Sequence, residues 1–470
     1  MNYDELEGWS AKVAAWGSEY LQGLRHQPIR PQVAPGAVAA QVPPSPPEHA
    51  ENMEVIFADF QRLIPSAMTH WQHPRFFAYF PSNAAPASIM AEQVANYMSA
   101  QCMLWQTSPA ATELETVMID WLRQALGLPD GWRGVLQDTA TSATLSAVLT
   151  MREKALAWRG LREGLSGMPR MRIYASAQTH SSIDKAVRLA GIGQDNLVKV
   201  PTDANYAMRA DALQRAIDED RAAGFLPVGV IGCIGGTSIG ASDRLDGILA
   251  IAQQESLYSH VDAAWAGSAM ICPEFREIWC GIERADSVVF NPHKWLGANF
   301  DCSVQFLKQP ADQVRTLAIR PQYLETLETD QITNYSEWTI PLGRRFRALK
   351  LWFLLRAYGL EGLRTRIRNH VAWTNEAAQA IAKAVPLEIV TAPRLGLFTF
   401  RYAPAGADPD LATRALLEAI NSDGRTYLTQ TTHEGRFVIR MSVGHFETTR
   451  ADVLDAVAII CELADKLRLD

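Results

Sequence analysis

From about Val135 to Leu307 the chain alternates short apolar runs with amphipathic stretches of helical period. Strand-like runs are Arg172-Ile173-Tyr174-Ala175, Leu197-Val198-Lys199-Val200, Pro227-Val228-Gly229-Val230-Ile231, the run ending at Asp262, and Ser287-Val288-Val289-Phe290. Helical patterns such as Asp211 to Ala223 and Leu245 to Ser256 lie between them. Strands that alternate with helices return in parallel, so this order predicts an α/β fold, a mostly parallel sheet with helices on both faces. After Arg344 a helical pattern from Phe346 to Gly359 leads to a C-terminal region with strand-like runs at Leu397–Phe400 and Phe437–Met441, read as a small α+β domain. At the other end, a helix from Tyr3 to Leu24 and another near Met53 to Leu63 flank a proline-rich stretch, Gln27 to Pro47, which predicts an extended arm or a flexible tail. The expected boundaries are 1–80 for the N-terminal helical arm, 81–355 for the large domain and 356–470 for the small one.

Chemistry concentrates where these strands end. Proline in Asn291-Pro292-His293-Lys294-Trp295 stops the preceding strand and leaves Lys294 at its end, where open α/β sheets bind ligands. A lysine there can condense with an aldehyde cofactor such as pyridoxal 5′-phosphate. Thirty-two residues earlier, Tyr258–Val261 ends in Asp262. By itself Asp262 reads as a helix cap; paired with Lys294 it supplies the anion that keeps a pyridine nitrogen protonated. Gln137-Asp138-Thr139-Ala140-Thr141-Ser142 opens a helix, and N–H groups with hydroxyls there form an anion cradle, although a plain N-cap has the same pattern. His180, in Gln178-Thr179-His180-Ser181-Ser182, offers an imidazole to stack on a pyridine ring, or belongs to a capping loop. Thr237, in Gly235-Gly236-Thr237-Ser238, is a further strand-end hydroxyl that an ordinary glycine turn explains equally well.

Composition removes other classes. The chain has 470 residues, enough apolar content (48%) for a sizeable core, and a net charge of −7, which gives no basic footprint for nucleic acid. Six cysteines without CxxC spacing, and no visible signal peptide, read as reduced thiols in a cytoplasmic protein with no structural metal. No apolar run reaches the ~18 residues of a membrane span.

Taken in order, six segments resemble the group II pyridoxal-phosphate-dependent amino-acid decarboxylases, the aromatic-L-amino-acid decarboxylase family. They are His73-Pro74-Arg75-Phe76-Phe77-Ala78-Tyr79-Phe80-Pro81-Ser82, Ser108-Pro109-Ala110-Ala111-Thr112-Glu113-Leu114-Glu115, Thr179-His180-Ser181-Ser182, His260-Val261-Asp262-Ala263-Ala264-Trp265, the Lys294 motif, and Ile340-Pro341-Leu342-Gly343-Arg344-Arg345-Phe346. The resemblance implies the fold-type-I architecture and a homodimer with its active sites at the subunit interface. It makes Lys294 the cofactor-binding lysine, Asp262 the partner of the pyridine nitrogen, His180 the ring-stacking histidine, and Ala140 and Thr141 the phosphate turn. Thr237, Asn291 and His293 fall at further cofactor contacts. Tyr79, Phe80, Pro81 and Ser82 fall in the substrate pocket, with Ser82 where relatives commonly carry Thr, and Met103 stands where an aromatic residue is common. The resemblance also points to Tyr335, an exposed loop tyrosine by its sequence context, as the acid that protonates the substrate carbon from a mobile loop. Relatives with Phe at the loop position tend to form an aldehyde, so Tyr335 with His180 implies an amine product. Gly343 stands where histidine decarboxylases tend to carry Ser, which implies an aromatic substrate. An aminotransferase, a cysteine-desulfurase-like lyase and a non-catalytic scaffold are the competing readings; the presence of His73–Ser82 and of all four chemical residues argues against them.

Overall fold

The computed structural model describes residues 1–319 and 332–469. Two compact units are present, one built from Met1–Pro81, Trp373–Val390 and Thr399–Asp470, the other from Ser82–Ala372 and Thr391–Phe398. The start of the proline-rich stretch is docked: Ile29 is fully buried, its N–H donates to the Gly424 carbonyl (3.0 Å), and its carbonyl accepts from His70 N–H (2.9 Å), whereas residues 32–47 are mostly exposed. The two N-terminal helices, Tyr3–Gly23 and Met53–Leu63, pair through Trp9 with Phe57 and Trp16 with Phe60, and neither contains a buried residue.

The larger unit contains a seven-stranded sheet. In chain order the strands are β1 (Arg133–Gln137), β2 (Met171–Ser176), β3 (Leu197–Val200), β4 (Leu226–Cys233), β5 (Tyr258–Asp262), β6 (Ser287–Phe290) and β7 (Ser303–Leu307), arranged β1-β7-β6-β5-β4-β2-β3. Pairs among β2 to β6 are parallel, whereas β7 runs antiparallel to both β6 and β1. The expectation of a mostly parallel sheet holds, with this reversal added. The link between β6 and β7, residues 291–302, holds only the five-residue turn Pro292–Leu296 and no crossover helix of the kind that usually returns a parallel strand. Strands β5 and β6 are buried at every position: β6 is mostly the apolar run Val288-Val289-Phe290, whereas β5 buries Ser259, His260 and Asp262, each with a hydrogen-bond partner. The helix Ala140–Ala155 lies on the sheet, with Ala147, Val148 and Met151 in one core with Ile173, Val228, Ile231 and Tyr258. Gly229 permits that approach, because a Cβ there would come within 2.5 Å of Met151 Sδ.

The C-terminal strands β8 (Leu387–Arg394), β9 (Leu397–Tyr402), β10 (Thr429–His433) and β11 (Arg436–Ser442) form a four-stranded sheet in the order β10-β11-β9-β8. The helix predicted from Phe346 continues to Lys383, broken at Gly359, whose φ of 60° is open to glycine at little cost.

Candidate active site

Strand register decides which residues meet. Asp262 of β5 lies opposite Cys233 of β4 and Val289 of β6, Phe290 opposite Val304 of β7, and Gln137 of β1 opposite Ser303. The C-terminal ends of β1, β4, β5 and β6 and the start of β7 thus share one sheet edge, and the loops leaving it carry the expected site residues.

Asp262 is 5% exposed, and its Oδ1 accepts the Ala264 N–H at 3.0 Å. The two exits, after β5 and after β6, are bonded together by Ala263 N–H to the Val289 carbonyl and Asn291 N–H to the Ala264 carbonyl, both 2.9 Å. Asn291 is buried, and its Oδ1 accepts from Ser303 Oγ at 2.7 Å. Pro292–Leu296 then forms a single π-type turn, a geometry frequent at functional sites, that carries the half-buried Lys294. Trp265 and Trp295 lie stacked 5.0 Å apart at 13°, fully buried, and Trp295 Nε1 donates to His370 Nδ1 at 2.9 Å. This sandwich fastens the turn after Asp262 to the turn holding Lys294.

His293, beside Lys294, is buried, and its Nδ1 accepts the Cys302 N–H at 2.9 Å. Burial first, then the Lys294 charge, pulls its pKa down to about 3, so the ring stays neutral. His180 caps the helix Ser181–Leu189, its Nδ1 accepting the Ser182 N–H at 3.1 Å. In the neutral ring that bond leaves the proton on Nε2. Partial burial lowers the His180 pKa; the Asp262 charge opposes that shift and the Lys294 charge adds to it. His180, Asp262 and Lys294 are therefore within electrostatic reach of one another.

Thr139 occupies the N-cap of the helix Ala140–Ala155 but makes no side-chain cap bond, so the N-terminal N–H groups are not capped by it. Ala140 and Ala143 pack with Ala264 and Val289, which brings this helix end to the Asp262 exit. In the loop after β4, a Cβ on Gly235 would come within 2.5 Å of Ala266, and one on Gly236 within 2.7 Å of the Gln178 carbonyl. The two glycines let this loop, with Thr237, press against the turns that hold Asp262 and His180. A primary amine, a carboxylate, an imidazole and a helix N-terminus at one sheet edge fit pyridoxal phosphate: aldehyde, pyridine nitrogen, ring face and phosphate each find a suited group.

The remaining expected residues fall elsewhere. Tyr79, Phe80 and Pro81 belong to the smaller unit. There Tyr79 adopts a left-handed φ of 47°, costly for a bulky residue, with its N–H on Thr429 Oγ1 (3.1 Å). The buried Arg440 lies over the Phe80 ring at 5.3 Å. Ser82 opens the larger unit, directly before Asn83. Gly343 is exposed beside Gln101, whose Oε1 accepts the Arg344 N–H at 2.7 Å.

Tyr335 corrects the sequence reading. It is 3% exposed within a 3₁₀ turn, Tyr335–Trp338, rather than on an exposed loop. Its hydroxyl is bonded to Thr116 Oγ1 at 2.9 Å, and Ser336 N–H donates to the Met103 carbonyl at 3.0 Å. Burial and the Glu115 carboxylate push the phenol pKa well up, making it a weaker acid. Part of the segment linking β7 to this turn, residues 320–331, lies outside the described residues. Sequence reasoning also missed a buried ion pair: Arg344 Nη2 donates to Glu115 Oε1 and to the Leu136 carbonyl, both at 2.7 Å. Both residues sit in the quoted motifs, but nothing in a motif shows that two charges meet.

Comparison with known proteins agrees with the site chemistry. The family model for the pyridoxal-dependent decarboxylase conserved domain matches residues 35–403. An aromatic-L-amino-acid decarboxylase of Cavia porcellus is 38% identical over the whole of both chains. A phenylacetaldehyde synthase of Arabidopsis thaliana is 36% identical, covering 99% of this chain and 97% of that one. The crystal structure of Oryza sativa TDC with PLP and tryptamine superposes with a TM-score of 0.96 at 34% identity, covering 99% of each chain. An alternating α/β chain with this strand-edge chemistry is thus a member of the group II pyridoxal-phosphate-dependent decarboxylase family, with the fold-type-I architecture and pyridoxal 5′-phosphate as its cofactor.

Proposed function

We propose that this decarboxylase converts an aromatic L-amino acid to the corresponding arylalkylamine and CO₂. The observation that carries the reading is the convergence of Lys294, Asp262 and His180 at one sheet edge beside the helix N-terminus at Ala140. Bound pyridoxal phosphate supplies the electron sink for the pair of electrons that CO₂ leaves on the substrate carbon. In this assignment Lys294 would hold the cofactor through its aldehyde. Asp262, fixed by the Ala264 N–H, holds a proton on the pyridine nitrogen. Ala140 and Thr141 would receive the phosphate with their backbone N–H groups and the Thr141 hydroxyl, and Thr237 would contact the cofactor from the β4 loop. Asn291 and His293 keep the lysine turn in place through Ser303 and Cys302. His180 would pack against the ring, with its Nε2–H available to the substrate carboxylate.

The aromatic assignment rests on the names of the relatives and on Gly343, which leaves the space that a serine would occupy. Tyr79, Phe80, Pro81 and Ser82 are assigned to the substrate side. A homodimer is supported by apolar groups left exposed on the N-terminal helices and on Pro86–Met98, among them Val13, Val55, Met90 and Tyr97. Six free cysteines, four of them buried, support a reducing, cytoplasmic setting. No described helix is long and apolar enough to cross a membrane.

The burial of Tyr335 favours a second reading of the product. With that hydroxyl bonded to Thr116, the amine assignment stands on His180, and oxidation to an aldehyde is the competitor. Mass spectrometry of products from the cofactor-loaded protein with tryptophan, DOPA, 5-hydroxytryptophan, tyrosine, phenylalanine and histidine decides both questions. An amine from an aromatic substrate supports the proposal; aldehyde with ammonia and peroxide establishes the second reading; turnover of histidine alone overturns the aromatic assignment.

A further inference from the structure

The π-type turn that carries Lys294 has backbone carbonyls that its own hydrogen bonds do not use. Gly297 N–H and Ala298 N–H both go to the Pro292 carbonyl, at 3.1 Å each, so the turn closes on its first residue. The carbonyls of His293, Lys294 and Gly297 find their donors in one short segment. Asn83 N–H donates to the His293 carbonyl at 2.9 Å, the Asn83 side-chain amide donates to the Lys294 carbonyl, and Ala85 N–H donates to the Gly297 carbonyl at 2.9 Å. Two residues of this segment act through backbone N–H groups that almost any residue supplies. Asn83 alone adds a side chain, and that side chain is 1% exposed and directed at the cofactor-binding residue itself. A buried carbonyl keeps its donor or suffers the desolvation cost, so the amide fixes the peptide plane from which the Lys294 side chain departs.

We propose that Asn83 is a positioning residue for Lys294: its amide sets the orientation of the lysine backbone, and through it the place of the amine relative to Asp262 and His180. Because Asn83 follows Ser82 directly, it joins the last of the proposed substrate-side residues to the lysine turn by one peptide bond. The inference rests on the assignment of Lys294 as the cofactor lysine.

The test uses the full-length, cofactor-loaded protein. Asn83→Ala removes the amide and leaves the N–H of residue 83 on His293; Asn83→Asp keeps the shape and, ionised, cannot donate; Asn83→Ser restores a donor. The expected result for Ala and Asp is a shift of about half a unit or more in the pH titration of the cofactor's visible absorbance, with kcat down about tenfold and KM nearly unchanged. Asn83→Ser moves both readouts back toward wild type. Wild-type titration and kcat in Ala and Asp, whatever their melting temperatures, overturn the proposal, as does a Ser variant impaired as much as Ala. Should Ala fail to fold, Asp and Ser carry the same comparison. Borohydride fixation of the cofactor in the unsubstituted protein, followed by peptide mapping, tests the underlying assignment separately. Cofactor found on a lysine other than Lys294 removes that assignment without reference to Asn83.

Discussion

Replacing Tyr335 by Phe separates a structural role from a chemical one. The Thr116 hydroxyl donates to the Thr112 carbonyl at 3.1 Å, so in its 2.9 Å bond with Tyr335 the tyrosine is the donor and Thr116 the acceptor. Phe keeps the ring, its edge contact with Trp338 at 5.7 Å and the Arg344 guanidinium over it at 5.1 Å, and loses only that donor. An acceptor with a second bond is cheap to leave, so the cost is one net hydrogen bond, about 1 kcal/mol. In a chain of this size that is a fall in melting temperature of no more than about 2–4 °C. The product stays the same, because a phenol that is buried, bonded and shifted to a higher pKa is poorly matched to donating a proton near neutral pH. Product mass spectrometry with a peroxide assay on the loaded variant, beside its melting curve, reads both parts. Aldehyde and peroxide from Tyr335→Phe, where the parent enzyme makes amine, would refute the argument, because the hydroxyl would then have to reach the reacting carbon.

Lys294→Ala is expected to abolish turnover and the visible absorbance of the cofactor–lysine linkage; near-parental turnover removes Lys294 from its proposed role. Arg344→Met strands the buried Glu115 carboxylate and is expected to cost about 3–5 kcal/mol, seen as a large drop in melting temperature that adding Glu115→Gln partly restores. Acid is expected to destabilise the fold below about pH 6.5. Burial holds His293 and His73 down to about 3 and His260 to about 4, so below the ordinary value of 6.5 the unfolded chain binds protons that the folded chain refuses, and stability falls with pH. Asp243, raised by burial to about 6, and Asp286, also raised by burial, act in the opposite sense, but these two carboxyls stand against five histidines with lowered values, His70 and His180 included. His73→Asn, which keeps an acceptor for the Arg75 N–H, is expected to flatten the pH dependence of the denaturation midpoint, and an unchanged slope contradicts the assignment.

The parts of this molecule that were legible in its sequence are those governed by local pattern. Ser287–Phe290 was legible because burial leaves the apolar run Val288-Val289-Phe290 and Pro292 stops it, and the strand ending at Asp262 was legible despite its buried Ser259 and His260. Strand direction was less legible: β7 runs antiparallel to β6 across a link that carries no crossover helix, a feature of the connection and not of any residue in the strand. Tyr335 was misjudged for a related reason. Its neighbours Thr333, Asn334 and Ser336 are loop-like residues, and what buries it comes from Thr116, Met103 and Arg344, far away along the chain. Asn83 carried no motif at all, since its partner is a backbone carbonyl and any residue could have stood opposite.

One signal was present and unused: a tryptophan follows each anchor, Trp265 three residues after Asp262 and Trp295 directly after Lys294. Their stacking explains why a carboxylate and an amine 32 residues apart in sequence hold one geometry. Backbone bonds at 2.9 Å join the two exits, Ser303 holds Asn291, Asn83 holds the lysine carbonyl, and the tryptophans fill the space beneath. With so many constraints on the turn, its backbone is set, and Lys294 itself is half-buried. That arrangement would suit the cofactor-lysine role proposed for Lys294. A backbone set in advance would spare the chain around Lys294 any reorganisation when cofactor and substrate meet there.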